Sequence, residues 1–122
     1  MFISIIGNPS SGKTTFFRAL AGANGNGNGN GHPSVRIEVP DARIDTLVKL
    51  FTPRKTTYSR LDVADTVAIR EGDVKNETLD AKSLQQIRQS DAVLAVLRHF
   101  DNGHAADPAG DFQRIQEEFI LA

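Results

Sequence analysis

A chain of 122 residues, 39% of them hydrophobic, can bury one modest core, so a single domain is expected. Its 14 basic and 15 acidic residues nearly cancel, leaving a formal charge of -1 and no broad field to hold nucleic acid or an anionic membrane. The absence of cysteine excludes a disulfide framework and thiolate metal sites, and no apolar run approaches the roughly 20 residues that span a bilayer.

The first fifteen residues organise the rest. The apolar run Phe2-Ile3-Ser4-Ile5-Ile6 reads as a strand, and a helical pattern begins at Lys13. Between them, Gly7-x4-Gly12-Lys13-Thr14 has the spacing of a Walker A phosphate-binding loop. Glycine lets the main chain approach the ligand, so that backbone N–H groups turn inward around phosphate oxygens. The candidate nucleotide-binding residues are therefore Asn8, Pro9, Ser10, Ser11, Gly12, Lys13, Thr14 and Thr15. Lys13 is the catalytic candidate, a point charge that can lie between terminal phosphates. Thr14 offers a hydroxyl to Mg2+, and the N-terminus of the helix it opens is favourable to an anion.

From Lys13 to Ala21, Phe16, Phe17, Leu20 and Ala21 recur at helical spacing. Asn24 to Gly31 then repeats Asn-Gly four times, so residues 23–34 are expected to form a flexible loop with little apolar surface to bury. Val35 to Val39 alternates as a half-buried strand. Asp41 suits the N-cap of a helix carrying Ile44, Leu47, Val48 and Phe51 on one face, stopped before Pro53. Arg54 and Lys55 read as exposed charge. Tyr58 to Val63 predicts a third strand ending at Asp62, followed by a polar loop to Glu77. Leu79 to Gln89 is helical, with Leu84 and Ile87 inward. Ala92 to Leu97 is apolar throughout, which predicts a strand covered on both faces in a parallel sheet. The last helix, Asp111 to Leu121, should bury Phe112, Ile115 and Phe119, with Glu117 and Glu118 on a solvated face.

Strands alternating with helices predict an open α/β sheet, mainly parallel and flanked by helices, with its ligand outside the carboxyl ends of the strands. Asp62 at such an end would be the second metal-site residue beside Thr14, ordering a water on Mg2+. The histidines His32, His99 and His104 have no ligand spacing, and Arg70 and Arg98 read as ordinary exposed arginines.

Four stretches, GNPSSGKTTFFRAL, VPDARIDTLVKLFTPRK, LDVAD and SLQQIRQSDAVLAVLRHF, together resemble the GTPase domain of the Obg/YchF type, nearest its YchF branch. The resemblance implies a P-loop NTPase fold of the TRAFAC class that binds GTP or ATP with Mg2+, hydrolyses slowly in its complete form, is cytoplasmic and in many relatives associates with ribosomes. It also implies that Asn8 to Thr15 hold the phosphates and that Asp62 is the Walker B carboxylate. On that register Asp65 stands where the family's DxxG motif has glycine, bringing a like charge towards the triphosphate. Thr66 stands where a water-orienting glutamine would follow, though the YchF branch also lacks one and uses an apolar residue, and the Asn-Gly stretch holds no switch threonine for the metal. These departures suggest an alternative, a nucleotide-responsive binding module without catalysis. A small-molecule kinase would need an arginine-bearing lid and an acceptor-binding acid, and neither is evident. Relatives continue through two further strands bearing the base-specifying Asn-x-x-Asp or Asn-x-x-Glu motif. Residues 1–122 are therefore expected to be an incomplete nucleotide-binding domain, with the edge of strand 92–97 open to self-association.

Overall fold

The computed structural model describes residues 1–22, 33–72 and 80–121. In chain order its elements are β1 (Phe2–Ile6), α1 (Lys13–Ala21), β2 (Ser34–Glu38), α2 (Ala42–Phe51), β3 (Arg60–Asp65), α3 (Ala81–Arg88), β4 (Ala92–Ala95) and α4 (Pro108–Leu121). The strands form one sheet in the order β2-β3-β1-β4. β1 pairs in parallel with both β3 and β4, and β2 runs antiparallel to β3. The fold is the expected open α/β sheet, mainly parallel.

Because side chains alternate across a strand, β1 feeds two cores. Ile5 packs on one face with Phe17 of α1 and Val63 of β3. Ile6 packs on the other with Ile69, Ile87 of α3 and Ile115 of α4. This double burial fixes where β1 ends, and hence where the loop after Ile6 emerges. Asp41 caps α2 as expected, accepting a 2.9 Å hydrogen bond from the Arg43 amide.

Several expectations need correction. β3 begins later and ends later than the pattern suggested, at Asp65 rather than Asp62. β4 covers only Ala92–Ala95 and lies at the sheet margin; Val93 and Leu94 are 45% and 39% exposed rather than covered. α2 buries none of its residues, leaving Leu50 and Phe51 71% and 73% exposed. In α4, Ile115 is buried but Phe112 is exposed, and Glu118 is buried instead of solvated. Of the expected Asn/Gly-rich loop, residues 23–32 lie outside the described residues, and Ser34 already belongs to β2.

Candidate functional site

The turn from β1 into α1 is shaped by two features of the loop. Ser10 (φ 60°) and Gly12 (φ 90°) both adopt left-handed conformations, and between them the Ser11 amide donates to the Asn8 carbonyl oxygen at 3.2 Å, closing a tight turn. At Gly7 the limit is space: a Cβ there would stand 2.6 Å from the Val96 carbonyl oxygen and 2.7 Å from Ser11 Oγ. Gly12 caps α1 without a side-chain partner, and the first turn of α1 carries no acid. The N–H groups that open the helix therefore keep their free valence and positive end for an anion.

This loop lines one wall of a hollow of about 440 Å3. Asn8, Ser10, Ser11, Gly12, Lys13, Thr14 and Thr15 form that wall, while Asp65, Thr66, Val67 and Ala68 form the other. Pro9 faces a smaller neighbouring hollow between the loop and α4. Ser11 Oγ is buried and has no hydrogen-bond partner among the described residues. An orphaned buried hydroxyl in the loop that opens a helix is a free partner for a bound anion.

Across the hollow, Lys13 reaches the end of β3. Its Nζ donates to Asp65 Oδ1 and to the Thr66 carbonyl oxygen, and Lys13 and Asp65 are only 8% and 5% exposed. Asp65 can stand there because it is the final residue of β3, paired in register with Ile5 just before the loop begins. Thr66 is fixed behind it, its Oγ1 donating a 2.6 Å hydrogen bond to the Ile5 carbonyl oxygen.

Asp62 is not part of this site. It pairs in register with Phe2 at the start of β1, three residues or about 10 Å back along the strand, and is absent from the lining of the hollow. Its carboxylate takes a two-pronged hydrogen bond from the Arg36 guanidinium, at 2.6 and 3.1 Å, on the exposed β2–β3 ribbon. That hydrogen bond, aided by the charge of Arg36, holds the Asp62 carboxyl below the usual carboxylate range, so it stays ionised at neutral pH as a surface ion pair. Asp62→Asn is accordingly expected to change nucleotide affinity by less than about twofold in an equilibrium titration.

With Asp65 in the carboxylate place, the D-x-x-G pattern reads Asp65-Thr66-Val67-Ala68, and the fourth residue is an alanine rather than a charged one. The residue after it is Ile69, which is 1% exposed and packed into the core beneath β1. Alanine is a far milder replacement for glycine than aspartate, which agrees with this register once the strand pairing has placed Asp65. His99 and His104 are exposed and apart from the hollow.

A phosphate cradle at the start of α1, a lysine crossing it and an aspartate ending a parallel strand define a nucleotide-binding domain of the P-loop class. The family model described as "50S ribosome-binding GTPase" matches residues 2–121, and the chain belongs to that family. Among curated proteins it is similar to the ribosome-binding ATPase YchF of Bacillus subtilis (37% identity over 129 residues, 97% of this chain and 35% of that protein). It is also similar to the Obg-like ATPase 1 of Oryza sativa subsp. indica (30% identity, 98% of this chain and 33% of that protein). Among solved structures, the Schizosaccharomyces pombe YchF GTPase matches 99% of this chain and 35% of its own, with a TM-score of 0.69 and 26% identity. The chain is thus a YchF-like nucleotide-binding domain, and it spans about a third of the length of the relatives it matches.

Proposed function

We propose that the hollow between residues 8–15 and 65–68 binds the phosphates of GTP or ATP together with Mg2+, and that the domain hydrolyses the terminal phosphate slowly. The observation that carries this reading is the meeting of the Lys13 ammonium with the Asp65 carboxylate beside the loop that opens α1, on the lining of one hollow. Asn8 to Thr15 would hold the phosphates, Pro9 from the margin. Thr14 and Asp65, both lining the hollow, offer the hydroxyl and the carboxylate for the metal, Asp65 taking the role expected of Asp62. Mg2+ bound there would neutralise phosphate charge. Lys13 would then exchange its carboxylate partner for phosphate oxygens. Hydrolysis would form a bond from a water oxygen to the γ-phosphorus and break the bond to the bridging oxygen, releasing nucleoside diphosphate and phosphate.

Moving the carboxylate to Asp65 removes the like-charge objection to catalysis, so a purely binding role loses its main support. Single-turnover phosphate release separates the two. Release that falls to the uncatalysed rate in Lys13→Ala supports hydrolysis, while release indifferent to Lys13 leaves only binding.

The name of the Bacillus subtilis relative supports a further part of the proposal, ribosome association, and a cytoplasmic setting is proposed as the place of that association. Among the described residues no helix is long and apolar enough to cross a membrane. Self-association is proposed at β4. Its outer edge has no strand beside it among the described residues, and the exposed Val93 borders an apolar groove of about 540 Å3 with Phe112, Ile115 and Phe119. A second copy pairing edge to edge would satisfy the free backbone groups of β4 and cover that groove. Sedimentation should show a concentration-dependent dimer that Leu94→Lys abolishes; a monomer at every concentration would contradict it.

A further inference from the structure

α4 carries a carboxylate where its packing face would otherwise be apolar. Glu118 lies three residues after the buried Ile115 and beside Phe119, and is 6% exposed. It accepts a 2.6 Å hydrogen bond from the backbone N–H of Gly72. Gly72 belongs to the stretch that begins immediately after Asp65, and the same stretch is tied at two other points. Thr66 bonds the Ile5 carbonyl oxygen, and the Ile69 amide donates to the Gly7 carbonyl oxygen at 3.0 Å. Val67 and Ala68, which face the phosphate hollow, are thus suspended between the ties at Thr66 and Ile69, and the far end of the stretch is moored to α4. A hollow of about 210 Å3, lined by Asn8, Pro9, Ile69, Arg70, Arg114 and Glu118 among others, lies beside the packing of Ile69 on Ile115 of α4.

We propose that Glu118 is a positioning residue for the terminal phosphate. It holds residues 66–72 so that the backbone of Val67 and Ala68 meets that phosphate. This inference rests on the reading of the hollow as a triphosphate site. The tip of Lys13, which lies between terminal phosphates in such loops, already touches Asp65 and the Thr66 carbonyl oxygen. The wall at 65–68 therefore stands beside the last phosphate and leaves the first two to the loop and the α1 N-terminus. Loss of the Glu118 tie should then be felt by a triphosphate and not by a diphosphate. A carboxylate accepting from a backbone amide in a buried setting is a strong tie, and a single such bond corresponds to about a tenfold change in an equilibrium constant.

The test is equilibrium titration of GTP, GDP, ATP and ADP, each with Mg2+, into the protein, Glu118→Ala and Glu118→Gln. Glu118→Ala should weaken triphosphate binding about tenfold while diphosphate binding stays within about twofold. Glu118→Gln, which keeps an acceptor oxygen, should recover most of the difference. Equal loss for both nucleotides, or no loss, overturns the proposal. Should the unaltered protein bind no nucleotide, the site reading and this inference fail together. If Glu118→Ala does not fold, hydrogen exchange at the Gly72 amide of the unaltered protein decides. Protection greater with triphosphate than with diphosphate supports the tie, and equal protection overturns it.

Discussion

Replacing Lys13 with alanine is expected to weaken nucleoside triphosphate binding by at least about thirtyfold, the low end of what truncating one partner of a buried charge pair costs. Two effects act together. The bound phosphates lose their point charge, and the Asp65 carboxylate, 5% exposed and held by the Lys13 ammonium in the free protein, is left buried and unpaired. The second effect acts without ligand and should cost about 3 to 5 kcal/mol of folding stability, a large share of what a small domain has. The double variant Lys13→Ala/Asp65→Ala separates the contributions. Removing both charges should restore much of the melting temperature, because no orphan charge remains, while triphosphate binding stays lost. Calorimetric melting and nucleotide titration on the same samples check both halves. A Lys13→Ala protein that melts normally and binds normally would mean that neither contact matters.

The second large effect is expected at Asp65 and concerns the metal. In the unaltered protein, adding Mg2+ should tighten triphosphate binding by more than about tenfold; in Asp65→Asn the gain should fall below about threefold. The sign of the change without metal is equally informative. An ionised carboxylate facing a bare triphosphate repels it, so Asp65→Asn should bind the metal-free nucleotide as well as or better than the unaltered protein. Asp62→Asn, with its charge turned to Arg36 on the sheet surface, should behave like the unaltered protein in both conditions. The pair of variants therefore tests the register of the site as well as the role of one residue. Mg2+ dependence lost in Asp62→Asn and kept in Asp65→Asn would reverse the assignment.

The cradle was legible in the sequence because it is built from consecutive residues: strand, turn and helix follow one another with no long-range information needed. The partner carboxylate was not. The segment LDVAD offers an aspartate at either end, and local pattern cannot say where β3 stops. Pairing with β1 decides it, since Ile5 lies opposite Asp65 and Phe2 opposite Asp62. Three residues of slip put the expected carboxylate about 10 Å along the strand from the hollow and made Asp65, which lines it, look like a charged replacement for glycine. Glu118 was misread for a related reason. Glutamate is rarely buried, and composition outweighed the spacing from Ile115 that places it inward. The exposure of Val93, Leu94 and the apolar residues of α2 could not be read either, because hydrophobic pattern reports which faces can be buried and not whether anything lies against them.

The most direct measurement of the central claim is calorimetric titration of GTP and ATP into the protein, with and without Mg2+. Saturable binding of at least one of them at one site per chain, strengthened by Mg2+ and abolished by Lys13→Ala, is the predicted result. No heat of binding from either nucleotide, with the metal present and the protein folded, would contradict it.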